Sequence, residues 1–241
     1  MTPAIPLVFP ATDGATVAIF QRLLLVALLA GVSTGLLTAL AHHSLTVPLI
    51  LQAEVYETSA NHDHHKHDHE PAWQPADGWQ RSLFTAFSDV MTAMGFALVL
   101  GAIWLWRGAP RALPQALLWG LAGYASFVLA PGLGLPAELP GADAGPLATR
   151  QIWWLASAFA TAAGLALLVF GRGWLWRFVA VGLLLVPHLI GAPQVVAENT
   201  ALPVGLHGQF IRAVLAVGLL FWLMLAASTA HFFKRVEHDA S

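Results

Sequence analysis

Apolar residues in this chain fall in six long runs, each near the ~20 residues that cross a bilayer as a helix. They lie at about 18–41, 83–106, 112–131, 151–170, 175–195 and 208–233, with polar or Gly/Pro-rich breaks between them. The runs are continuous, not alternating, which predicts helices and excludes a membrane barrel. The expected fold is all-α, a polytopic integral membrane helical bundle of about six transmembrane helices, with five as the alternative count. Residues 1–17 form a short tail, and 18–241 one transmembrane domain interrupted by a polar loop at 43–82. No internal repeat is evident, so an inverted-repeat architecture is not supported.

Basic residues orient the runs. Arg22 lies early in the first, Arg107 and Arg111 between the second and third, Arg172 and Arg177 between the fourth and fifth, and Lys234 with Arg235 after the sixth. Six spans put these seven on one side, which the positive-inside rule makes cytoplasmic. Both termini are then expected inside a bacterial inner membrane, with the 43–82 loop outside, in the periplasm of a Gram-negative cell. Ala39 and Ala41 form an A-x-A pattern like a signal-peptidase site. The run before it is about 18 residues, longer than the usual 7–15-residue signal core, so an uncleaved first helix is expected.

Small residues mark close helix approaches. Gly31 and Gly35 form a GxxxG in "GVSTG", extended by Ala27 and Ala39, and Ala156, Ala160 and Gly164 form a similar stripe. Packing within the chain explains both, and a partner helix is the alternative.

Composition supports the membrane reading. Charged residues make up 10% of the 241, against about 25% in soluble domains. Mean hydropathy is +0.67 and the formal net charge −2, so no basic nucleic-acid surface is present. The chain has no Cys, which removes disulfides and thiolate ligands together. A bound metal must use imidazole, carboxylate, Met or backbone oxygen, which favours borderline divalent ions.

The densest candidate chemistry is "HDHHKHDH" at 62–69, with five His and two Asp in eight positions. His62, Asp63, His64, His65, His67, Asp68 and His69 offer several overlapping imidazole and carboxylate sets. Such tracts read as metal-binding, but affinity alone does not choose among cobalt, nickel, zinc and copper(II). Ordering a loop around an ion costs entropy, so several weak, interchangeable sites are expected, collecting ions rather than translocating them.

Ionisable residues within spans are costly and are functional candidates by default. Asp89 lies inside the second run, with Thr85, Ser88 and Thr92 near it at helical spacing. His188 sits in "VPHLIGAP", next to Pro187. His42 and His43 close the first run. Glu54 and Glu57 follow on one helical face beyond Pro48, and His207 precedes the sixth run. His42, His43, Glu54, Glu57, His188 and His207 all fall toward the outer side, where they are expected to form an N/O site at the mouth. The bland alternative for each is an interfacial residue. Arg150 is expected to be a counter-ion for Glu138 or Asp143, and Trp residues at span ends read as an interfacial belt.

Five stretches, "RLLLVALLAGVSTGLLTAL", "VPLILQAEVYE", "LGLPAELPGADAG", "RQIWW" and "PHLIGAP", resemble the CbtA family, proposed cobalt-transporter membrane subunits. The resemblance implies about five spans, cobalt uptake for cobalamin synthesis, and a small single-span His-containing CbtB-like partner. It implies no particular ligand residues.

The leading reading is therefore a membrane subunit of a transition-metal uptake transporter, for cobalt, with nickel or zinc as alternatives. No tightly bound cofactor and no enzymatic activity are expected. A Walker motif is absent from the sequence, so ATP hydrolysis by that route is not expected. The membrane potential alone gives an inward divalent cation about 4.6 kcal/mol per 100 mV, roughly 2,000-fold accumulation. Two other classes remain: a metal-binding or sensing membrane protein that transports nothing, and a membrane cytochrome with haem between His42 or His43 and His188 or His207. Without C-x-x-C-H, covalent haem is excluded.

Overall fold

A computed structural model describes residues 14–61, 75–76, 78–140, 145–193, 203 and 205–238. Seven helices account for nearly all of them: α1 (Gly14–Leu45), α2 (Val47–Asn61), α3 (Trp79–Arg107), α4 (Leu113–Gly134), α5 (Leu147–Phe170), α6 (Trp174–Ile190) and α7 (Leu206–His238). No strand occurs among the described residues. Five of these helices are long and apolar enough to cross a bilayer, and the chain is a multi-pass membrane protein.

Two helices lie outside the five, α2 and α6, and the one nearer to spanning length is α6, with 17 residues. At 1.5 Å per residue it covers about 26 Å, just short of the ~30 Å hydrocarbon core. Packing shows that it still runs from one end of the bundle to the other. At one end, Lys234 Nζ donates to the Arg111 carbonyl at 2.8 Å. There the Arg107 guanidinium also lies 3.9 Å over the Phe170 ring. Arg22 lines a crevice there with Leu105 and Val236. Phe170 leads through Gly171 and Gly173 into the start of α6. At the opposite end, the Trp153 indole donates to the Pro187 carbonyl near the end of α6 at 3.2 Å. Arg22, Arg107, Arg111 and Lys234 therefore gather at one end, as six traversals require. The count of five falls on α6, because Gly191 at φ 84 ends the helix before Pro193.

The core forms where α1, α3, α4 and α7 meet. Val26, Ala27, Ala30, Ala93, Ala97, Leu100, Trp104, Ala116, Trp222, Leu225 and Ala226 are buried there in one cluster. Small residues let backbones approach: a Cβ on Gly31 would lie 2.8 Å from Met94 Cα, and one on Gly120 2.6 Å from the Trp222 carbonyl oxygen. The GxxxG of α1 is thus spent on α3 within the chain. In α4, residues Ala125–Leu129 form a π turn. Pro131 lacks the N–H that would complete the regular ladder to residue 127, which is the physical cause of the wider turn.

The segment 43–82, read from sequence as a polar loop, contains a helix of its own. The first helix continues through Leu45, and α2 follows after a break at Thr46. Pro48 sits in the first turn of α2, where its missing N–H has no helical partner to lose. It therefore bends the chain without ending helical structure. Ala53 on α2 packs with Leu139, Leu206 and Phe210 across the non-basic end of the bundle. Glu54 then accepts from both Arg81 guanidinium nitrogens, at 3.2 and 2.8 Å, tying α2 to the first turn of α3.

Both partners of that pair are about 30% exposed, so its contribution is modest. Glu54→Ala is expected to lower the detergent Tm by about 2 °C. The swapped pair Glu54→Arg/Arg81→Glu should restore most of that loss in a thermal-shift series.

Candidate ion-binding site

The packing of α1 on α3 brings one expected pair together. The Gly31–Met94 and Gly35–Val90 approaches set an antiparallel register. In that register Asp89 lies level with about residue 36, and His42 is roughly six residues, or ~9 Å, further out. Helical side chains lean toward their own N-terminus. His42 therefore points down the bundle and Asp89 points up, and His42 Nε2 comes within 3.8 Å of Asp89 Oδ1. The pair sits just inside the break at Thr46, with side chains 30% and 17% exposed.

Hydrogen bonds at the break fix the imidazole. Thr46 Oγ1 donates to the His42 carbonyl at 3.1 Å, and the same oxygen lies 2.9 Å from His42 Nδ1. A hydroxyl has one proton to give. Given to the carbonyl, that proton leaves Nδ1 as the donor and the Nε2 lone pair of the neutral ring toward Asp89; given to Nδ1, it leaves Nε2–H toward Asp89. Asp89 Oδ2 is buried without a hydrogen-bond partner among the described residues. An imidazole nitrogen and a carboxylate oxygen 3.8 Å apart are groups of the kind a divalent cation takes as ligands when Nε2 carries no proton. Two ligands of a tetrahedral ion at about 2.1 Å would lie ~3.4 Å apart. The pair supplies two protein ligands, and water or further groups must complete the shell.

The other expected ligands whose side chains are described do not join it. Among the described residues no group of three or more His, Asp or Glu is placed to hold a metal. Glu54 is engaged by Arg81, and Glu57 lies three residues further along α2. His43 and His207 are exposed. His188 packs edge-on against Trp153, with ring centroids 6.0 Å apart, on the α5–α6 pair. His42 and His188 thus belong to different helix pairs and do not face each other as haem ligands would. Arg150 donates to Glu138 at 2.7 Å, the counter-ion expected for it. Ser88 and Thr92 are exposed on α3, so they do not extend Asp89 into a buried stripe. The run His62, Asp63, His64, His65, His67, Asp68 and His69 lies outside the described residues.

The sequence reading missed a polar ladder on α1. Thr34, Thr38, His42 and Thr46 recur every four residues, and the three threonines are at most 3% exposed. That spacing was the available signal, hidden because lone threonines are common in apolar helices.

A family model described as probable cobalt transporter subunit (CbtA) matches residues 20–234. Neither a curated protein nor a solved structure matches the chain.

Proposed function

From the premise that this chain belongs to the CbtA family of probable cobalt transporter subunits, we propose that it carries cobalt into the cell through the α1–α3 side of its bundle. The observation that carries the proposal is the His42–Asp89 pair, an imidazole nitrogen 3.8 Å from a partly buried carboxylate. Imidazole nitrogen with carboxylate oxygen suits a borderline divalent ion, and a charge held within a span is expensive without such a role. The basic residues at the opposite end support an outward-facing pair, by the positive-inside rule.

In this reading the His-rich run at 62–69, which follows the end of α2 at Asn61, concentrates ions outside the membrane. It hands them to His42 and Asp89, and the membrane potential draws a divalent cation inward without ATP. The small single-span His-containing subunit implied by the resemblance is the partner expected to complete the transporter.

The test is uptake of radioactive cobalt by cells that express the chain with and without its small partner, with nickel and zinc as competitors. Energy-dependent cobalt accumulation supports the reading, and its absence in the presence of the partner overturns it. Deletion of 62–69 separates collection from passage. Uptake should fall about 10-fold at scarce cobalt and return to near wild type at abundant cobalt, because several weak sites act by raising local concentration. Complete loss at every concentration would place the run on the route itself.

A further inference from the structure

The polar line on α1 does not stop at His42. Thr38 and Thr34 continue it toward the bundle centre, eight residues or about 12 Å below His42. Thr38 donates to the Thr34 carbonyl at 2.9 Å, the local bond that hydroxyls in apolar helices usually make. Ser33 and Ser44 do the same with Leu29 and Leu40. Thr34 does not. Its hydroxyl reaches across to Ser228 of α7, with the oxygens 3.0 Å apart. Next to Ser228, Thr229 is fully buried and its hydroxyl has no hydrogen-bond partner among the described residues.

Beyond this level, toward the basic end, the packed side chains are apolar: Val26, Ala27, Ala30, Ala97 and Leu100. The hydroxyls therefore stand at the lower end of the line of polar side chains that begins at the His42–Asp89 pair. Burying an unpaired hydroxyl costs roughly 1–3 kcal/mol. Apolar residues of the same shape would pack α1 against α7 without that cost.

We infer that Thr34 and Ser228, between α1 and α7, form a second station that receives a partly hydrated divalent cation from His42 and Asp89. Their oxygens take the place of water in the ion's outer shell, and the apolar layer beneath closes the way to the basic end. The inference rests on the transport reading.

The test uses the full chain with its partner and measures initial rates of cobalt uptake. Thr34→Val keeps the branched shape and removes the oxygen; Thr34→Ser keeps the oxygen. Thr34→Val should lower the maximal rate about 10-fold, with detergent Tm unchanged, while Thr34→Ser stays within about twofold of wild type. Ser228→Ala should reproduce the loss if Thr34→Val fails to accumulate in the membrane. The exposed hydroxyl variant Ser44→Ala should behave as wild type. A Thr34→Val rate within twofold of wild type, or an equal fall in Thr34→Val and Thr34→Ser, overturns the station alone. A wild-type chain that moves no cobalt overturns the transport reading and the station with it.

Discussion

Asp89→Asn should reduce the initial rate of cobalt uptake by at least about 10-fold, and toward 100-fold at low cobalt. The amide is nearly isosteric, so the α1–α3 packing set by Gly31 and Gly35 is preserved. What disappears is the negative charge that offsets a divalent ion within the bilayer. Asparagine leaves a carbonyl oxygen, a weaker donor with no charge, beside Nε2 of His42. His42→Ala should cause a loss of similar size. The double variant should be little worse than either single one, because a site that needs both ligands is lost with the first. Metal bound by the purified protein through 62–69 should persist in all three variants. That persistence separates a transporter from a protein that only binds metal. Uptake by Asp89→Asn above half the wild-type rate would remove the pair from the mechanism.

Gly35→Leu should cost the protein its fold in the membrane. A Cβ at Gly35 would press on the Val90 Cα and lie 2.6 Å from the Val90 nitrogen, so the obstacle is backbone rather than a side chain that can swing away. The α1 and α3 axes would have to separate, opening the packing around Ala93 and Ala97. The expected loss exceeds about 3 kcal/mol, the upper range for overpacking, and would be seen as poor yield and a collapsed detergent Tm. Gly35→Ala should fold partly and transport poorly, because separating the two helices also separates His42 from Asp89. Gly95 and Gly182 are the controls, since nothing lies within 4 Å of a Cβ built on either. Gly95→Ala and Gly182→Ala should be neutral or stabilising by up to about 1 kcal/mol, the helix-propensity gain over glycine.

Much of the architecture was readable because a bilayer imposes one simple rule on helix length and apolarity. The six runs, the gathering of Arg107, Arg111, Arg172 and Lys234 at one end, and the α1 glycines all follow from local pattern. The helix α2 was legible only in the helical spacing of Glu54 and Glu57: Pro48 looks like a stop, and only its place in the first turn makes it harmless. The π turn before Pro131 is a backbone adjustment that no side-chain pattern announces. Of the candidate ligands, Asp89 and His42 were singled out separately, by the cost of their burial and by their place at a span end. Their pairing depends on helix register, which in turn depends on which face of α1 the glycines occupy. Glu54 resembled a ligand for the same reason it binds Arg81, namely a carboxylate at a span end in need of a cation. The sequence carries no marker that distinguishes an arginine partner 27 positions away from a metal ion.

The shortness of α6 has a consequence for the lipid around it. Its ~26 Å meets a hydrocarbon layer of ~30 Å, while α3 on another part of the bundle has 29 residues to spend. The two flanks of the protein therefore match membranes of different thickness. On the α6 side the acyl chains are expected to compress by a few ångströms, at a cost of fractions of a kcal/mol per ångström. Headgroups and water are then expected to approach the Pro187–His188 end of α6. The bilayer itself then becomes an asymmetric part of the protein's surroundings, thinned along one flank and full depth along the other.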